Sequence, residues 1–391
     1  MASKYEHVKA QLEDFKRNNI YRRLLTTQVR ENDFFLNGKK VINLCSNDYL
    51  GLSQNKIIVE KTKGSLKQIS PCSSRLLSGN DIAIVELEEI LALHRGSESA
   101  LVYPTGYMAN LGAISAIATR EHKIFSDELN HASIIDACKI SNTNKNVFIF
   151  NHNDPDDLQG KLKKTKGKSI VITEGVFSMD GDLAKLEHLA ELTKRYDAIL
   201  VVDDAHGDFV FGKQGNWGGI PEYFGVEKEV DIHISSLSKG LGCFGGYVAS
   251  SNMLRDLFVN RSRQFIYTSA IPAHLCVSAI NAISTLKKNP NLQVDFFTKI
   301  DWFLKELKNL GFNTGSSSSQ IVPIIIGDEK LAVRFSDDLF KHGIFVQAIR
   351  YPTVRFGESR LRISLNRQIE KNKLEYVLTC LETLGKKHKI I

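Results

Sequence analysis

Short apolar runs alternate with amphipathic stretches along the middle of the chain, between about residues 80 and 250. The apolar runs fall at 99–103, 146–150, 169–173, 198–203, 231–235 and 244–249, and helical spacing is found near 84–94, 107–118, 131–140, 155–164 and 184–195. Apolar runs without alternation are typical of strands buried on both faces, connected by crossover helices. The pattern predicts an α/β fold with a mostly parallel central sheet and flanking helices.

The pattern changes on both sides of this region. Residues 4–18 have Tyr5, Val8, Leu12 and Phe15 at helical spacing, and a hairpin is expected at Asn37-Gly38. After residue 250 we expect helices near 251–261, 272–287, 293–310, 329–342 and 369–385, and strands near 320–326, 344–349 and 359–365. We therefore predict three parts: an N-terminal helix and β-segment (1–45), a large domain (46–250), and a C-terminal region (251–391) containing a small α+β domain.

Composition and charge narrow the functional classes. The 391 residues carry a net charge of +7, concentrated at 161–168 and 386–389, which is more typical of a solvated face than of nucleic-acid binding. The six cysteines are scattered, with no Cys-x-x-Cys and no histidine at metal-ligand spacing, so we expect neither a disulfide framework nor a metal site. With no apolar run of membrane-spanning length and no apolar N-terminal signal, we expect a cytoplasmic protein without a membrane partner.

Two residues at the ends of apolar runs indicate a particular chemistry. Lys239 lies in Ser-Ser-Leu-Ser-Lys-Gly-Leu-Gly (235–242), and Asp203 ends an earlier apolar run. A lysine among small hydroxyl and glycine residues at a strand end is a common setting for a Schiff-base lysine. A carboxylate at a neighbouring strand end can keep the ring nitrogen of pyridoxal phosphate (PLP) protonated. Each feature alone is common, but the two together favour a PLP enzyme.

Other polar residues also fall where strands are expected to end, the usual place for ligands in such sheets. Gly106 and Tyr107 open a helix whose N-terminus suits a phosphate, although a plain strand-to-helix turn is equally consistent. His131 opens another helix and could stack on an aromatic cofactor, but on its own a capping histidine is the commoner explanation. Ser178 could donate a hydrogen bond to a cofactor oxygen, and a turn is the alternative.

Arg360 and Arg362 alternate on a late strand, so their guanidinium groups should share one face. A planar guanidinium is well suited to hold the carboxylate of an amino acid. Surface salt bridging is the alternative explanation.

Seven motifs, in order, make the chain resemble the α-oxoamine synthases, which are PLP enzymes of fold type I. The motifs lie at 46–52, 74–80, 130–133, 173–182, 203–207, 238–242 and 360–362, within a resemblance that runs from Asn43 to Leu365. Asp-Asp-Ala-His-Gly (203–207) and Ala-Ile-Arg-Tyr-Pro-Thr-Val (348–354) are most similar to the biotin-pathway branch. Members of that branch condense L-alanine with a pimeloyl thioester, on CoA or acyl carrier protein, to give 8-amino-7-oxononanoate, CO₂ and the free thiol.

The resemblance implies a role for each of these residues and a homodimer with shared active sites. Lys239 would bind the cofactor and act as base and acid. The implied cofactor contacts are His131 stacking on the ring, Asp203 at the ring nitrogen, His206 and Ser178 at the phenolic oxygen, Gly106, Tyr107 and Ser236 at the phosphate, and Thr268 at the partner subunit's phosphate. The implied substrate contacts are Asn47 and Arg362 at the amino-acid carboxylate, and Arg22 or Arg23 with Thr353 at the acyl substrate.

Three departures from the family pattern leave the substrate open. They are Ile69–Ser73 in place of a glycine-rich lead, Asp208-Phe209 in place of Thr-Gly, and Arg355 in place of proline. We expect all three to lie near the acyl chain or thioester. The alternatives are an oxoamine synthase that uses glycine with a short acyl-CoA, one that uses serine with a long acyl-CoA, or a catalytically silent PLP-fold binding protein.

Overall fold

The computed structural model describes residues 4–18, 20–30, 33–141 and 146–391. The N-terminal helix α1 (Glu6–Arg17) has no buried residue, and its apolar stripe is exposed. It is followed by the antiparallel strands β1 (Thr27–Arg30), β2 (Asp33–Leu36) and β3 (Lys39–Asn43). The expected hairpin joins β2 to β3. Its turn residues Asn37 (φ 48°) and Gly38 (φ 80°) take the left-handed conformation that these two residue types tolerate best.

The large domain alternates helices and strands as predicted. In chain order its elements are α2 (Lys56–Gly64), α3 (Ile82–Arg95), β4 (Ser99–Tyr103), α4 (Gly106–Ile117), β5 (Lys123–Asp127), α5 (Ala132–Ile140), β6 (Val147–Phe150), α6 (Pro155–Lys164), β7 (Ser169–Glu174), α7 (Leu186–Arg195), β8 (Ala198–Asp203), α8 (Gly219–Phe224), β9 (Ile232–Ser236) and β10 (Gly246–Ser250). The short helices α2 and α8 were not predicted, because neither is long enough to show a clear helical period.

Within the described residues, seven strands form the central sheet in the order β4-β10-β9-β8-β7-β5-β6. The strands run parallel except β10, which is antiparallel to both neighbours. In β7, Ile170 and Ile172 pack into the core on one face of the sheet and Val171 packs into the core on the other. Because both faces are covered, successive residues are all apolar, as the uninterrupted runs predicted. The predicted fold class is confirmed.

The C-terminal region contains a second, smaller sheet. Its elements are α9 (Asn252–Arg261), α10 (Arg263–Ile266), α11 (Ala273–Lys287), α12 (Asn291–Asn309), β11 (Ile321–Gly327), α13 (Glu329–Lys341), β12 (Ile344–Phe345), β13 (Gln347–Ile349), β14 (Ser359–Ser364) and α14 (Lys371–Lys387). The antiparallel order is β11-β14-β13.

The single strand predicted at 344–349 is wrong, because the chain changes sheets within it. Strand β12 pairs with β3 of the N-terminal sheet, whereas β13 pairs with β14. Between them the carbonyl of Val346 accepts a hydrogen bond from the Ser336 hydroxyl (2.6 Å), which takes the place of strand pairing. A further bond from Ser364 N to Leu44 O (2.7 Å) joins the N-terminal segment to β14. The residues after β3 are thereby held beside the small C-terminal sheet.

The division into three parts at residues 45 and 250 stays a prediction. Among the described residues, no helix has the length and apolar character needed to cross a membrane. The same residues contain no group of three or more His, Cys, Asp or Glu side chains placed to hold a metal ion.

Candidate active site

The carboxyl ends of β7 and β8 place two acidic side chains next to each other. Glu174 is the register partner of Asp203 across the parallel pair, and both are buried. Asp203 accepts hydrogen bonds from Asn110 Nδ2 (2.6 Å) on one carboxylate oxygen and from Ala205 N (3.0 Å) on the other. Within the described part of the chain it makes no salt bridge, so its charge is oriented by neutral donors and remains available to a cation.

Lys239 follows β9 and points its amine at the neighbouring loop. The Nζ atom lies 2.7 Å from His206 Nε2. Burial lowers the pKa of Lys239 to about 8, although the nearby carboxyl groups of Asp203 and Glu174 act in the opposite direction. An amine with such a pKa is partly unprotonated near neutral pH, so it can act as a nucleophile and as a base.

The orientation of His131 is tied to Asp203 through two side chains. His131 is the N-cap of α5, and its Nδ1 lies 2.7 Å from the Ser133 hydroxyl. That hydroxyl accepts a hydrogen bond from Asn110 Nδ2 (3.0 Å), the same amide that binds Asp203. The imidazole and the carboxylate are therefore parts of one hydrogen-bonded unit.

Arg362 lies where the 46–49 segment, β14 and the loop after β7 meet. It donates to the carbonyl of Ser178 and to the Ser364 hydroxyl (2.7 Å), and it lies 3.4 Å from Asn47 Oδ1. Arg360 lies along the same loop, but its guanidinium forms a salt bridge with Asp180. Its charge is therefore already paired within the protein, whereas Arg362 faces neutral groups.

A close backbone contact shapes the region in front of α4. A Cβ on Gly246 would lie 2.4 Å from Gly106 N, and one on Gly106 would lie 3.1 Å from Ser236 Cβ. Side chains are thus excluded in front of the helix N-terminus, while the Ser236 hydroxyl lies beside it. Tyr107 is partly exposed and donates to Asp136 Oδ2 (2.6 Å). Backbone N–H groups at a helix N-terminus together with a hydroxyl suit a phosphate.

Not all the predicted residues meet at this point in the single chain. Thr268 is half-buried beside Tyr103 and Pro104. Arg22 and Arg23 are exposed between α1 and β1, and Arg23 lies over the ring of Tyr21.

Thr353 lines a separate cavity. That cavity has a volume of about 420 Å³, and Ser178 and Arg355 also line it. Ser178 therefore joins it to the surroundings of Arg362. Arg355 forms a salt bridge with Glu128 (2.7 Å) at the same cavity.

Asp208 and Phe209, which we expect near the acyl substrate, have buried side chains, and their proximity to that substrate stays a prediction. Both are 1% exposed and pack beneath the site. The Asp208 carboxylate binds His94 (2.9 Å) and the Tyr247 hydroxyl (2.5 Å), and it lies 3.4 Å from Arg95. Phe209 stacks on His94 at 4.4 Å and takes φ 62°, a conformation that costs a glycine less. The pair is part of the core next to the 203–207 loop, where its side chains contact His94.

Sequence reasoning missed several residues of this site. Tyr49 lies 2.6 Å from His206 and Asn110 binds Asp203, yet neither was predicted. Asn110 comes one helical turn after Gly106 and could have been found from that spacing. Glu174 ends β7 just as Asp203 ends β8, which was also a usable signal. Tyr49 lies in the loop after β3 and outside any helix or strand, so no periodicity pointed to it.

The residues present fit PLP. Glu174 Oε1, beside Asp203 and Lys239, is buried and has no hydrogen-bond partner among the described residues, which leaves polar capacity for a bound group. Asp203 has no salt-bridge partner among the described residues, and a protonated ring nitrogen would supply a positive charge. Lys239 presents a nucleophilic amine, and the N-terminus of α4 suits a phosphate.

The chain matches the family model described as aminotransferase class I and II over residues 39–381. It therefore belongs to this family, and its cofactor is PLP. Within the family, it is 37% identical to the 8-amino-7-oxononanoate synthase of Thermosipho melanesiensis, over 97% of this chain and 98% of the relative. It is 38% identical to that of Thermoanaerobacter pseudethanolicus, over 99% and 98%. The predicted branch of the family is confirmed.

Solved structures show the same fold. A serine palmitoyltransferase from Sphingomonas wittichii superimposes with a TM-score of 0.92 and 27% identity, over 100% of this chain and 99% of that one. An 8-amino-7-oxononanoate synthase from Francisella tularensis gives 0.76 and 26%, over 89% and 99%.

Proposed function

We propose that this protein condenses L-alanine with a pimeloyl thioester to give 8-amino-7-oxononanoate, CO₂ and a free thiol, as a PLP-dependent acyltransferase of biotin biosynthesis. One observation carries the proposal. The buried amine of Lys239, 2.7 Å from His206, shares a site with Asp203 and with the guanidinium of Arg362. Similarity to synthases of this name over nearly the full length supports the choice of reaction.

The proposed reaction needs the cofactor and several side chains of this protein. PLP, when bound, supplies an electron sink for the carbanion at the α-carbon of alanine. Lys239 would hold the cofactor covalently, and its freed Nζ would take the α-proton and later return a proton after CO₂ is lost. Asp203 would keep the ring nitrogen protonated by its negative charge, which Asn110 orients. His131 would stack on the ring.

Arg362 is suited to hold the carboxylate of alanine. Its Nε and Nη1 atoms are engaged by Ser178 and Ser364, whereas Nη2 has a longer contact of 3.5 Å with Asn47 Oδ1. The two protein bonds fix the plane of the guanidinium, which leaves Nη2 for the substrate. Asn47 would donate from its amide to the same carboxylate.

The acyl thioester would approach from the cavity that contains Thr353, on the Ser178 side of the site. Arg22 or Arg23 would contact its terminal carboxylate. The thioester carrier, CoA or acyl carrier protein, is not distinguished by these contacts.

The active protein is proposed to be a homodimer. Thr268 would complete the phosphate site of the partner subunit, and the exposed apolar stripe of α1 would pack across the same interface. The cytoplasmic location and the absence of a nucleic-acid partner stay predictions.

A serine and long-chain acyl specificity is the second candidate, because a serine palmitoyltransferase superimposes with a TM-score of 0.92. The test is a panel of alanine, glycine and serine against acetyl, pimeloyl and palmitoyl thioesters, with products identified by mass spectrometry. Alanine with the pimeloyl thioester should give the highest kcat/KM. Preference for another pair would replace the proposed substrates, and no turnover with any pair by protein that has bound PLP would favour a silent binding protein.

A further inference from the structure

Tyr49 and His206 form a buried hydrogen bond at the back of the site. The Tyr49 hydroxyl lies 2.6 Å from His206 Nδ1, and the other ring nitrogen, Nε2, lies 2.7 Å from Lys239 Nζ. Tyr49 is 0% and His206 5% exposed. The hydrogen on the imidazole is therefore placed by these two neighbours and not by solvent.

Counting hydrogens leaves two arrangements. Burial, with the nearby charges of Lys239 and Arg362, lowers the pKa of His206 well below its usual range, so the ring is neutral and carries one N–H. Burial raises the pKa of Tyr49, so its hydroxyl keeps one hydrogen. That hydrogen goes either to His206 Nδ1 or to Asn47 Oδ1, which lies 3.1 Å away. In the first arrangement the imidazole hydrogen is on Nε2, which requires an acceptor there: an unprotonated Lys239 nitrogen or an oxygen of the cofactor. In the second arrangement the hydrogen is on Nδ1, and Nε2 accepts from Lys239.

When the Lys239 nitrogen is bound to the cofactor and has no ammonium hydrogens to donate to His206, the contacts of Tyr49 favour the first arrangement. The distance to His206 is the shorter of the two, and it is typical of a strong hydrogen bond from a hydroxyl. Asn47 Oδ1 also has contacts with both Nη atoms of Arg362 (3.4 and 3.5 Å) and with the Ser364 hydroxyl (3.5 Å). It therefore has other donors and does not depend on Tyr49.

We propose that Tyr49 is a positioning residue that donates to His206 Nδ1 and thereby keeps the imidazole hydrogen on Nε2, facing Lys239 and the cofactor. This inference rests on the proposed function, because the acceptor that needs an N–H at this position is the phenolic oxygen of PLP. With PLP held by Lys239, that oxygen would lie beside the Lys239 nitrogen and would compete with it for a proton. A hydrogen bond donated by His206 would stabilise the ionised oxygen and so lower the pKa of the nitrogen that Lys239 contributes.

Tyr49→Phe removes the donor and keeps the ring. In the holoenzyme without substrate, the pH at which the visible absorbance band titrates should rise by about one unit, the size expected from the loss of one hydrogen bond. The value of kcat should fall about tenfold, while KM for alanine changes by less than about threefold.

Two comparisons separate positioning from packing. Tyr103→Phe removes another buried hydroxyl, bonded at 3.1 Å to Ser262, and should leave the titration unchanged. In a His206→Asn background, which has no tautomer to set, Tyr49→Phe should add no further shift.

An unchanged midpoint in Tyr49→Phe, or an equal shift in the His206→Asn background, would overturn the inference. If the wild-type protein shows the visible band, neither result contradicts the proposed function. Absence of the band in wild-type protein supplied with PLP would instead refute the proposed function itself.

Discussion

The amide of Asn110 donates to both the Asp203 carboxylate (2.6 Å) and the Ser133 hydroxyl (3.0 Å). It thereby orients two residues that are expected to contact the cofactor: Asp203 directly, and His131 through Ser133. Because Ser133 in turn binds the His131 ring, the stacking residue and the carboxylate move together. A single amide on α4 thus joins the Asp203 carboxylate and the His131 ring in one hydrogen-bonded unit.

Asp203→Asn should bind PLP but lose most of its activity. The neutral amide can still bond to Asn110, but it cannot keep the ring nitrogen protonated. Electrostatic contributions of this kind are typically worth about 10² or more in rate. The measurement is kcat/KM at matched PLP occupancy. Asp231→Asn, the same change at the opposite end of the sheet beside Leu200 N, is the control. Turnover of the Asp203 variant within about threefold of wild type would show that catalysis does not depend on the charge of Asp203.

Lys239→Ala should abolish covalent attachment of PLP. In the wild type, borohydride reduction should fix the cofactor to Lys239, because burial lowers the pKa of this amine to about 8 and makes it nucleophilic. Mass spectrometry of the reduced, digested protein gives the position. Lys299, whose pKa is also lowered by burial but which bonds to the carbonyls of Arg367 and Ile369, is the control lysine. An adduct on any lysine other than Lys239 would contradict the assignment.

Arg362→Ala should weaken alanine binding and leave PLP in place. Removing a charged contact whose partner stays buried typically costs about 2–5 kcal/mol. Arg360→Ala should change alanine binding less, because that guanidinium is paired with Asp180, and it should lower thermal stability instead. Spectral titration with alanine measures the first effect, and thermal unfolding measures the second. A larger loss of alanine binding in the Arg360 variant would show that Arg360, and not Arg362, holds the carboxylate of alanine.

The stability of the protein should fall as the pH rises from about 6.5 to about 10, in part through His152. Burial opposes the charge of this histidine, but bonds to Asp127 and Asp182 (both 2.9 Å) outweigh it and raise its pKa to about 10. The native state therefore binds the proton more tightly than the unfolded state. This stabilisation is full below the unfolded pKa and is lost as pH passes through the folded one.

His152→Gln should lower the free energy of unfolding by about 3 kcal/mol at pH 6, typical of a broken buried pair. The difference from wild type should shrink by pH 9, as measured by denaturant unfolding. His188→Gln, on helix α7, is the control for adding the same amide elsewhere. A difference that does not depend on pH would show that His152 acts through neutral hydrogen bonds.

Mixed dimers should recover activity that neither parent shows. Lys239→Ala chains lack the amine, and Thr268→Trp chains would block the partner's phosphate site. In a heterodimer, the Lys239→Ala chain lends its normal Thr268 to the other chain's intact lysine, which restores one site. Co-refolding differently tagged chains and assaying the purified heterodimer tests this. No recovery in a verified heterodimer, or full activity in a monomer measured by light scattering, would reject shared sites.

The local pattern of residues was sufficient to predict much of the fold and part of the site. The strands of the large domain could be predicted because burial on both faces of a sheet leaves an uninterrupted apolar run, as in β7. Lys239 and Asp203 could be picked out because both fall at the carboxyl ends of such runs, where ligands bind. The motifs around them identified the family, since each motif is a short, contiguous piece of sequence.

Contacts between distant segments were decided only by the tertiary structure. Tyr49 and His206 are 157 residues apart, and nothing in the period of either segment shows that the loop after β3 returns to the end of β8. The strand predicted at 344–349 divides between two sheets because residues 344–345 pair with β3, whereas residues 347–349 pair with β14. Asp208 and Phe209 lie in a motif next to the site, yet their side chains enter the core to meet His94. Side-chain direction and strand neighbours depend on how the sheets and helices pack, which local periodicity does not record.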